Sequence, residues 1–250
     1  MDDPDIRLQW LTKMSKRPID HVTYLSNADA EIIESLGNGV LFLMVFWSVG
    51  AVKAFTALSE VLATPETESL EFVVADVDGS PSLYEVPDFK GNVHGWGETA
   101  WIYHGKIIAT SGLGLNTECF RPNTSTLLAF SKHGSQVTPM QLAADFHWLP
   151  PWAGVGDMAD SLDTELAAKE LSGQHCLHGK SVHAIAKRDD CDDTLFAIDR
   201  EKRVAVVHLT WSGRTESDDN YPVTEIYHDW QDWVDSCLLP EYRRFRDKPL

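Results

Sequence analysis

The sequence predicts an α/β domain followed by an α+β domain with an antiparallel sheet. A run of eight apolar residues, 40–47, passes through a short turn at residues 48–50 into an alanine-rich apolar helix that ends before Thr64-Pro65. A strand without polar alternation is covered on both faces, as in the centre of an α/β sheet. In the second half, short strands follow one another through tight turns, which is typical of antiparallel pairing.

The elements predicted between residues 20 and 132 follow the order βαβαβαββα. Ser26 or Asn27 is expected to cap the first helix, because their side chains can accept hydrogen bonds from its free N–H groups. The two-residue turn His104-Gly105 predicts a β-hairpin. The strands are expected at residues 21–25, 40–47, 70–77, 99–103 and 106–110.

The segment from Trp47 to Lys53 resembles the active-site segment of thioredoxins, Trp-Cys-Gly-Pro-Cys-Lys. Here the quartet is Val49-Gly50-Ala51-Val52, preceded by one extra residue, Ser48, and valine stands at both cysteine positions. The order of elements is also that of thioredoxins, so the resemblance covers residues 20–132. It implies a thioredoxin-like fold without dithiol exchange, because valine has neither a sulfur nor a proton to lose.

In thioredoxins, a Gly-Ile-Pro-Thr loop with a cis-proline completes a groove that receives an extended peptide. The matching residues here, 95–99, read Gly-Trp-Gly-Glu-Thr, so Glu98 replaces the proline. We expect a trans peptide before Glu98, because a non-proline cis bond costs about 2.5–4 kcal/mol.

The resemblance therefore implies an apolar, thiol-free groove, with Glu98 favouring a basic segment. The alternative is that the C-terminal half or the N-terminal arm covers Trp47 and Trp96, since burying an apolar side chain is worth about 1.5–3 kcal/mol. The candidate binding residues are Trp47, Val49, Gly50, Ala51, Trp96, Gly97 and Glu98.

Residues 133–138, HGSQVT, are polar and contain glycine, which predicts a linker. They separate a domain at residues 20–132, preceded by an arm at 1–19, from a domain at 139–250. The second domain loosely resembles small uncharacterised bacterial proteins. Its predicted elements are a helix from Ser161 or Asp163 to Leu171, strands at residues 181–187, 194–198 and 203–210, and a closing helix at 227–239.

Histidine and cysteine concentrate in this second domain. A Cys–His pair would supply a nucleophile and its base, and imidazole with thiolate and carboxylate can hold zinc. However, the spacing matches no zinc motif, and we assign no metal and no cofactor. The alternative to a binding protein is a hydrolase-type enzyme, with or without a metal, which must bring at least three of its candidate side chains within about 4 Å of each other or of a shared water or metal. These candidates are His175, His178, Cys191 and His208.

The net charge of −17, from 21 basic and 38 acidic residues, disfavours binding to nucleic acids and anionic membranes. Four cysteines without a CxxC motif and an acidic N-terminal segment predict a reducing cytoplasm. The leading hypothesis is a non-enzymatic binding or scaffold protein that engages another protein, and the acidic charge favours a basic one. An immunity-type inhibitor of a basic protein is a further alternative, and the oligomeric state stays open.

The valines at both cysteine positions predict that the protein does not catalyse disulfide reduction. In an insulin-reduction assay with dithiothreitol, we expect the same rate with and without the protein, with a redox-active thioredoxin as the positive control. Turnover at substoichiometric protein would contradict this prediction.

Overall fold

A computed structural model describes residues 4–91, 93–166, 171–215, 218 and 220–248. The chain forms two compact units, Met1–Gly134 and Ser135–Leu250. Each unit contains its own five-stranded sheet. Among the described residues, the helices are too short or too polar to cross a membrane.

The first unit has a mixed sheet with strand order β1-β3-β2-β4-β5. Strands β1, β3 and β2 are parallel, whereas β4 pairs antiparallel with both β2 and β5. This arrangement confirms the predicted α/β, thioredoxin-like fold. The elements are α1 (Pro4–Met14), β1 (Thr23–Leu25), α2 (Glu31–Ser35), β2 (Asn38–Met44), α3 (Val49–Val61), β3 (Glu71–Asp76), β4 (Thr99–Tyr103), β5 (Lys106–Thr110) and α4 (Phe120–His133).

Strand β2 is the buried centre of this sheet, as its apolar run predicts, and the side chains at residues 40–44 are 0% exposed. The strand ends at Met44, and the chain then turns into α3. The Ser48 hydroxyl caps that helix by accepting a hydrogen bond from the Ala51 N–H at 3.3 Å. Helix α3 packs on the sheet through Phe55, whose ring lies 5.7 Å from Phe42 and 5.9 Å from Phe72.

At the N-terminal end of the first unit, contacts between distant segments hold the predicted arm and the start of α2. The predicted arm contains an eleven-residue helix, α1, whose Arg7 pairs with the buried Asp76 and lies over the Phe46 ring. Neither Ser26 nor Asn27 caps α2, which was a wrong prediction. Instead, the N–H groups of Ala28 and Ala30 donate to the hydroxyls of Ser80 and Ser82.

The second unit has an antiparallel sheet with strand order β10-β9-β8-β7-β6, which confirms the predicted α+β class. Strands β6 and β10 were not predicted, because each has only three or four residues and no clear alternation. The elements are α5 (Pro139–Ala144), β6 (Trp152–Gly154), α6 (Ala159–Glu165), β7 (Val182–Arg188), β8 (Asp193–Ile198), β9 (Val204–His208), β10 (Thr224–Tyr227), α7 (Trp230–Trp233), a π-helical turn (Val234–Leu238) and α8 (Leu239–Arg246).

Two predicted helix ends in this unit were wrong. Helix α6 begins at Ala159, so Ser161 and Asp163 lie inside it, and the end predicted at Leu171 follows residues 167–170, which lie outside the described residues. The closing helix continues past Pro240 to Arg246. Proline is tolerated there because it lies in the first turn of α8, where its missing N–H is not needed.

The sheet of the second unit has two different faces. Leu162 and Leu166 on the α6 side pack with Ala205, Val207 and Leu209. A second core is a cluster of aromatic rings whose centroids lie 4.9 to 6.3 Å apart. The members of that cluster are Phe146, Trp148, Trp152, Trp230 and Trp233.

Because each unit has its own sheet and core, we expect both halves to fold when expressed separately. Circular dichroism and thermal melting of residues 1–134 and 135–250 should each show secondary structure and a cooperative transition. Two unfolded halves would contradict the division.

Candidate functional site

Five apolar side chains of the first unit form an exposed patch, which we call the apolar surface. Monomeric proteins seldom leave large apolar side chains exposed side by side unless the surface binds something. Its members are Trp47 (74% exposed), Val49 (70%), Leu115 (52%), Trp96 (38%) and Leu113 (38%). Within the first unit neither Trp47 nor Trp96 is buried, which contradicts the alternative in which the N-terminal arm covers both.

Glycines bring these side chains together. A Cβ added at Gly50 would lie 3.5 Å from Cδ1 of Trp96 and 3.3 Å from Cδ2 of Leu115. A Cβ added at Gly95 would lie 3.7 Å from Cη2 of Trp47. The large side chains thus lie against backbone that carries no side chains of its own.

The loop that carries Trp96 packs so closely on Phe42 and Ala54 that only glycine fits at position 97. Gly97 has a φ of +89°, and a Cβ there would lie 2.6 Å from Cζ of Phe42 and 2.9 Å from Cβ of Ala54. Gly114 packs on the same loop from outside, where a Cβ would lie 2.4 Å from the Trp96 carbonyl carbon. This second contact places Leu113 and Leu115 beside Trp96.

Leu113 and Leu115 were not among the predicted binding residues. The signal was the pair of glycines at 112 and 114 on either side of a leucine, which indicates close backbone approach. Local sequence does not indicate which backbone it approaches, because Gly114 packs against Trp96, which lies eighteen residues earlier in the chain.

Three predicted binding residues lie beneath the apolar surface rather than on it. Ala51 and Glu98 are 0% exposed, and Gly97 is buried. The Gly97–Glu98 peptide is trans, as expected, since the cis bonds in the described residues are Pro150–Pro151 and Tyr221–Pro222. Because its carboxylate is buried, Glu98 does not present a charge to a basic partner, which corrects that expectation.

The Glu98 carboxylate binds its own loop. Its Oε1 accepts hydrogen bonds from the N–H of His94 at 2.7 Å and the N–H of Trp96 at 3.2 Å. Its Oε2 is buried and has no hydrogen-bond partner among the described residues. A polar residue therefore occupies the position that proline holds in thioredoxins, and it organises the loop through side-chain hydrogen bonds.

In the second unit, His175 is a structural residue. Its Nδ1 accepts a hydrogen bond from the Leu177 N–H at 3.2 Å, so its Nε2 carries the proton and donates to the Pro222 carbonyl at 3.0 Å. The ring is buried, and both of its nitrogens are engaged. It has no nitrogen left to serve as a base or a metal ligand.

His208 lies on the opposite face of the sheet from His175. The Thr224 hydroxyl lies 3.3 Å from Nε2 of His175, and Thr224 pairs with Val207, which belongs to the α6 core. Successive residues of a strand point to opposite faces, so His208 faces away from His175. There its Nδ1 lies 2.7 Å from Oδ1 of Asp193.

The Cys191 thiol and Nδ1 of His208 both lie beside the Asp193 carboxylate. Burial raises the pKa of the Cys191 thiol, and a hydrogen bond from the thiol to the Asp193 side chain also contributes to the rise. His178 is exposed. The structure therefore does not bring three of the four candidates together. Among the described residues, no three His, Cys, Asp or Glu side chains are arranged to hold a metal.

Comparison with models of known protein families and with curated proteins finds no match. Solved structures of thioredoxins are similar to part of the chain. The thioredoxin of Malassezia sympodialis is 15% identical, covers 36% of this chain and 76% of its own, and has a TM-score of 0.29. Mitochondrial thioredoxin 3 of Saccharomyces cerevisiae is 16% identical, covers 40% and 90%, and has a TM-score of 0.31.

A thioredoxin of Schistosoma mansoni is 14% identical, covers 39% of this chain and 87% of its own, and has a TM-score of 0.28. Similarities this weak carry no argument about activity. The fold assignment rests on the strand order β1-β3-β2-β4-β5 and its pairing directions.

The raised pKa of Cys191 predicts slow alkylation, because the thiolate is the reacting form. With iodoacetamide at neutral pH, peptide mass spectrometry should show the exposed Cys176 modified before Cys191. The buried Cys237, whose pKa burial raises to about 12, should react last. Modification of Cys191 ahead of Cys176 would indicate an activated nucleophile and contradict this reading.

Proposed function

We propose that the protein is a non-enzymatic binding protein whose thioredoxin-like unit binds an extended apolar segment of another protein. The observation that carries the proposal is the apolar surface, where Trp47 and Val49 are 74% and 70% exposed beside Trp96. Two exposed tryptophans on one surface favour binding, because tryptophan is enriched among the residues that dominate binding energy.

The surface is held rigidly, which favours affinity. Val49 lies in the first turn of α3, which the Ser48 side chain caps. Trp96 follows Gly95 and precedes Gly97, whose backbone is packed against Phe42 and Ala54. A surface that is already ordered loses little conformational entropy when it binds a partner.

The absence of thiols supports binding rather than redox chemistry at this surface. Valine occupies both positions where thioredoxins carry cysteine. The cysteine of the first unit, Cys119, is buried, and its thiol donates to the Asn116 carbonyl at 2.9 Å. An apolar side chain in place of each thiol favours a surface that binds a partner without redox chemistry.

The chain's charge supports a partner with basic residues around its apolar segment. With 38 acidic and 21 basic residues, the protein attracts cationic partners at long range. All four cysteines are free, which is consistent with function in a reducing cytoplasm.

The proposal is tested with peptides selected from a displayed library of unstructured sequences on the full chain. Titration calorimetry then compares the wild type with Trp47→Ala. We expect at least about a 30-fold loss of affinity, since truncating a central tryptophan typically costs 2 kcal/mol or more.

Trp211→Ala is the matched control, because Trp211 is also exposed (47%) but lies in the second unit. It should bind the selected peptides as the wild type does. A library that yields no binder, or binders that do not distinguish Trp47→Ala from Trp211→Ala, would reject the proposal.

A further inference from the structure

The loop at residues 94–97 needs a fixed conformation if Trp96 is to belong to a binding surface. Gly95 and Gly97 have φ angles of +75° and +89°. Glycine has access to many backbone conformations, so a loop with two of them loses much entropy on being ordered. A specific interaction must therefore hold it.

We propose that Glu98 is the positioning residue of the apolar surface, and that its buried carboxylate holds the loop and with it Trp96 in the binding conformation. This inference rests on the proposed function and adds a residue to it. One oxygen, Oε1, binds the N–H groups at both ends of the turn, at His94 and Trp96. The two bonds close the loop over the carboxylate.

The backbone of Glu98 supplies the fixed point from which its side chain acts. The Glu98 carbonyl accepts a hydrogen bond from the Leu43 N–H at 2.8 Å, which ties it to the residue after Phe42 on the central strand. Thr99 next to it donates its hydroxyl to the Gly97 carbonyl at 3.1 Å. The loop is thus held to the sheet at its C-terminal end, and the carboxylate extends that hold to His94.

The close packing of Gly97 and Gly114 holds the C-terminal part of the loop, and the contact between the rings of His94 and Trp96 does not replace the Glu98 hydrogen bonds at its N-terminal part. The His94 and Trp96 rings lie 5.6 Å apart in a tilted arrangement, and His94 is exposed. A contact between two partly exposed rings is weak compared with two hydrogen bonds to a carboxylate, which are among the stronger kinds in proteins.

The second carboxylate oxygen of Glu98, Oε2, helps to distinguish a role in positioning the loop from general support of the fold. Oε2 is buried without a hydrogen-bond partner among the described residues. A buried acceptor without a partner destabilises the fold, so removing it offsets part of the loss of the two hydrogen bonds to Oε1. Glu98→Leu should therefore keep the global fold while it releases the loop.

Amide hydrogen exchange by NMR tests the inference on the full chain without any partner. In Glu98→Leu, exchange at the His94 and Trp96 amides should rise by about tenfold or more, because each loses its hydrogen bond to Oε1 of Glu98. Glu98→Gln keeps an oxygen that accepts both bonds, so it should retain the protection. The matched control is Glu60→Leu, at an exposed position on α3.

Unchanged exchange at both amides in Glu98→Leu, with the melting temperature retained, would overturn the inference whether or not the peptide affinity changes. If Glu98→Leu does not fold, Glu98→Ala replaces it as the variant without the acceptor. Fast exchange at both amides in a folded Glu98→Ala, with protection retained in Glu98→Gln, would then support the inference. Loss of protection in Glu98→Gln, whose second polar atom is a donor, would overturn it.

Peptides selected on the wild type test the link to binding. Their affinity should fall at least about tenfold in Glu98→Leu and be retained in Glu98→Gln and Glu60→Leu. Freed amides with unchanged affinity would show that the loop takes no part in binding, which overturns the positioning role. If no peptide binds the wild type, the proposed function fails, and the exchange result alone decides whether Glu98 holds the loop.

Discussion

The close approach of the Trp96-Gly97 backbone to the central strand and helix is the constraint on which the apolar surface depends. No side chain fits at Gly97, where a Cβ would lie 2.6 Å from Phe42 and 2.9 Å from Ala54. Gly114 meets the same backbone from outside. Three layers, β2 with α3, the Trp96 loop and the Leu113–Leu115 loop, are therefore stacked closely because Gly97 and Gly114 carry no side chains. A bulkier residue at either glycine would separate them and disperse the surface.

The first unit combines a thioredoxin-like fold with valine and glutamate at the positions where the resemblance places cysteine and proline. The turn after β2 leads into a capped helix, and a loop before β4 lies beside it. Valine replaces each thiol, and Glu98 replaces the proline. Proline would restrict the backbone directly, whereas Glu98 restricts it through hydrogen bonds to His94 and Trp96.

The second unit shows how strand alternation separates residues that look clustered in the sequence. His175 contacts Thr224 on the α6 face, and His208 contacts Asp193 on the other. Since neighbouring strand residues point to opposite faces, His208 faces away from Val207, and His175 and His208 do not share one site. Density of histidine and cysteine along the chain is therefore a poor guide to a catalytic centre in an antiparallel sheet.

The sequence by itself determined the local elements with strong periodicity. The apolar run of β2, the turn into α3, and the hairpin at His104-Gly105 follow from side-chain burial and backbone preference over a few residues. Only the tertiary structure decided which side chains of the candidate site are exposed. Trp47 and Trp96 lie at the surface while Glu98 lies beneath it, because contacts between segments far apart in the chain determine solvent exposure. Short elements such as β6 and β10 likewise form only because neighbouring strands supply their hydrogen bonds.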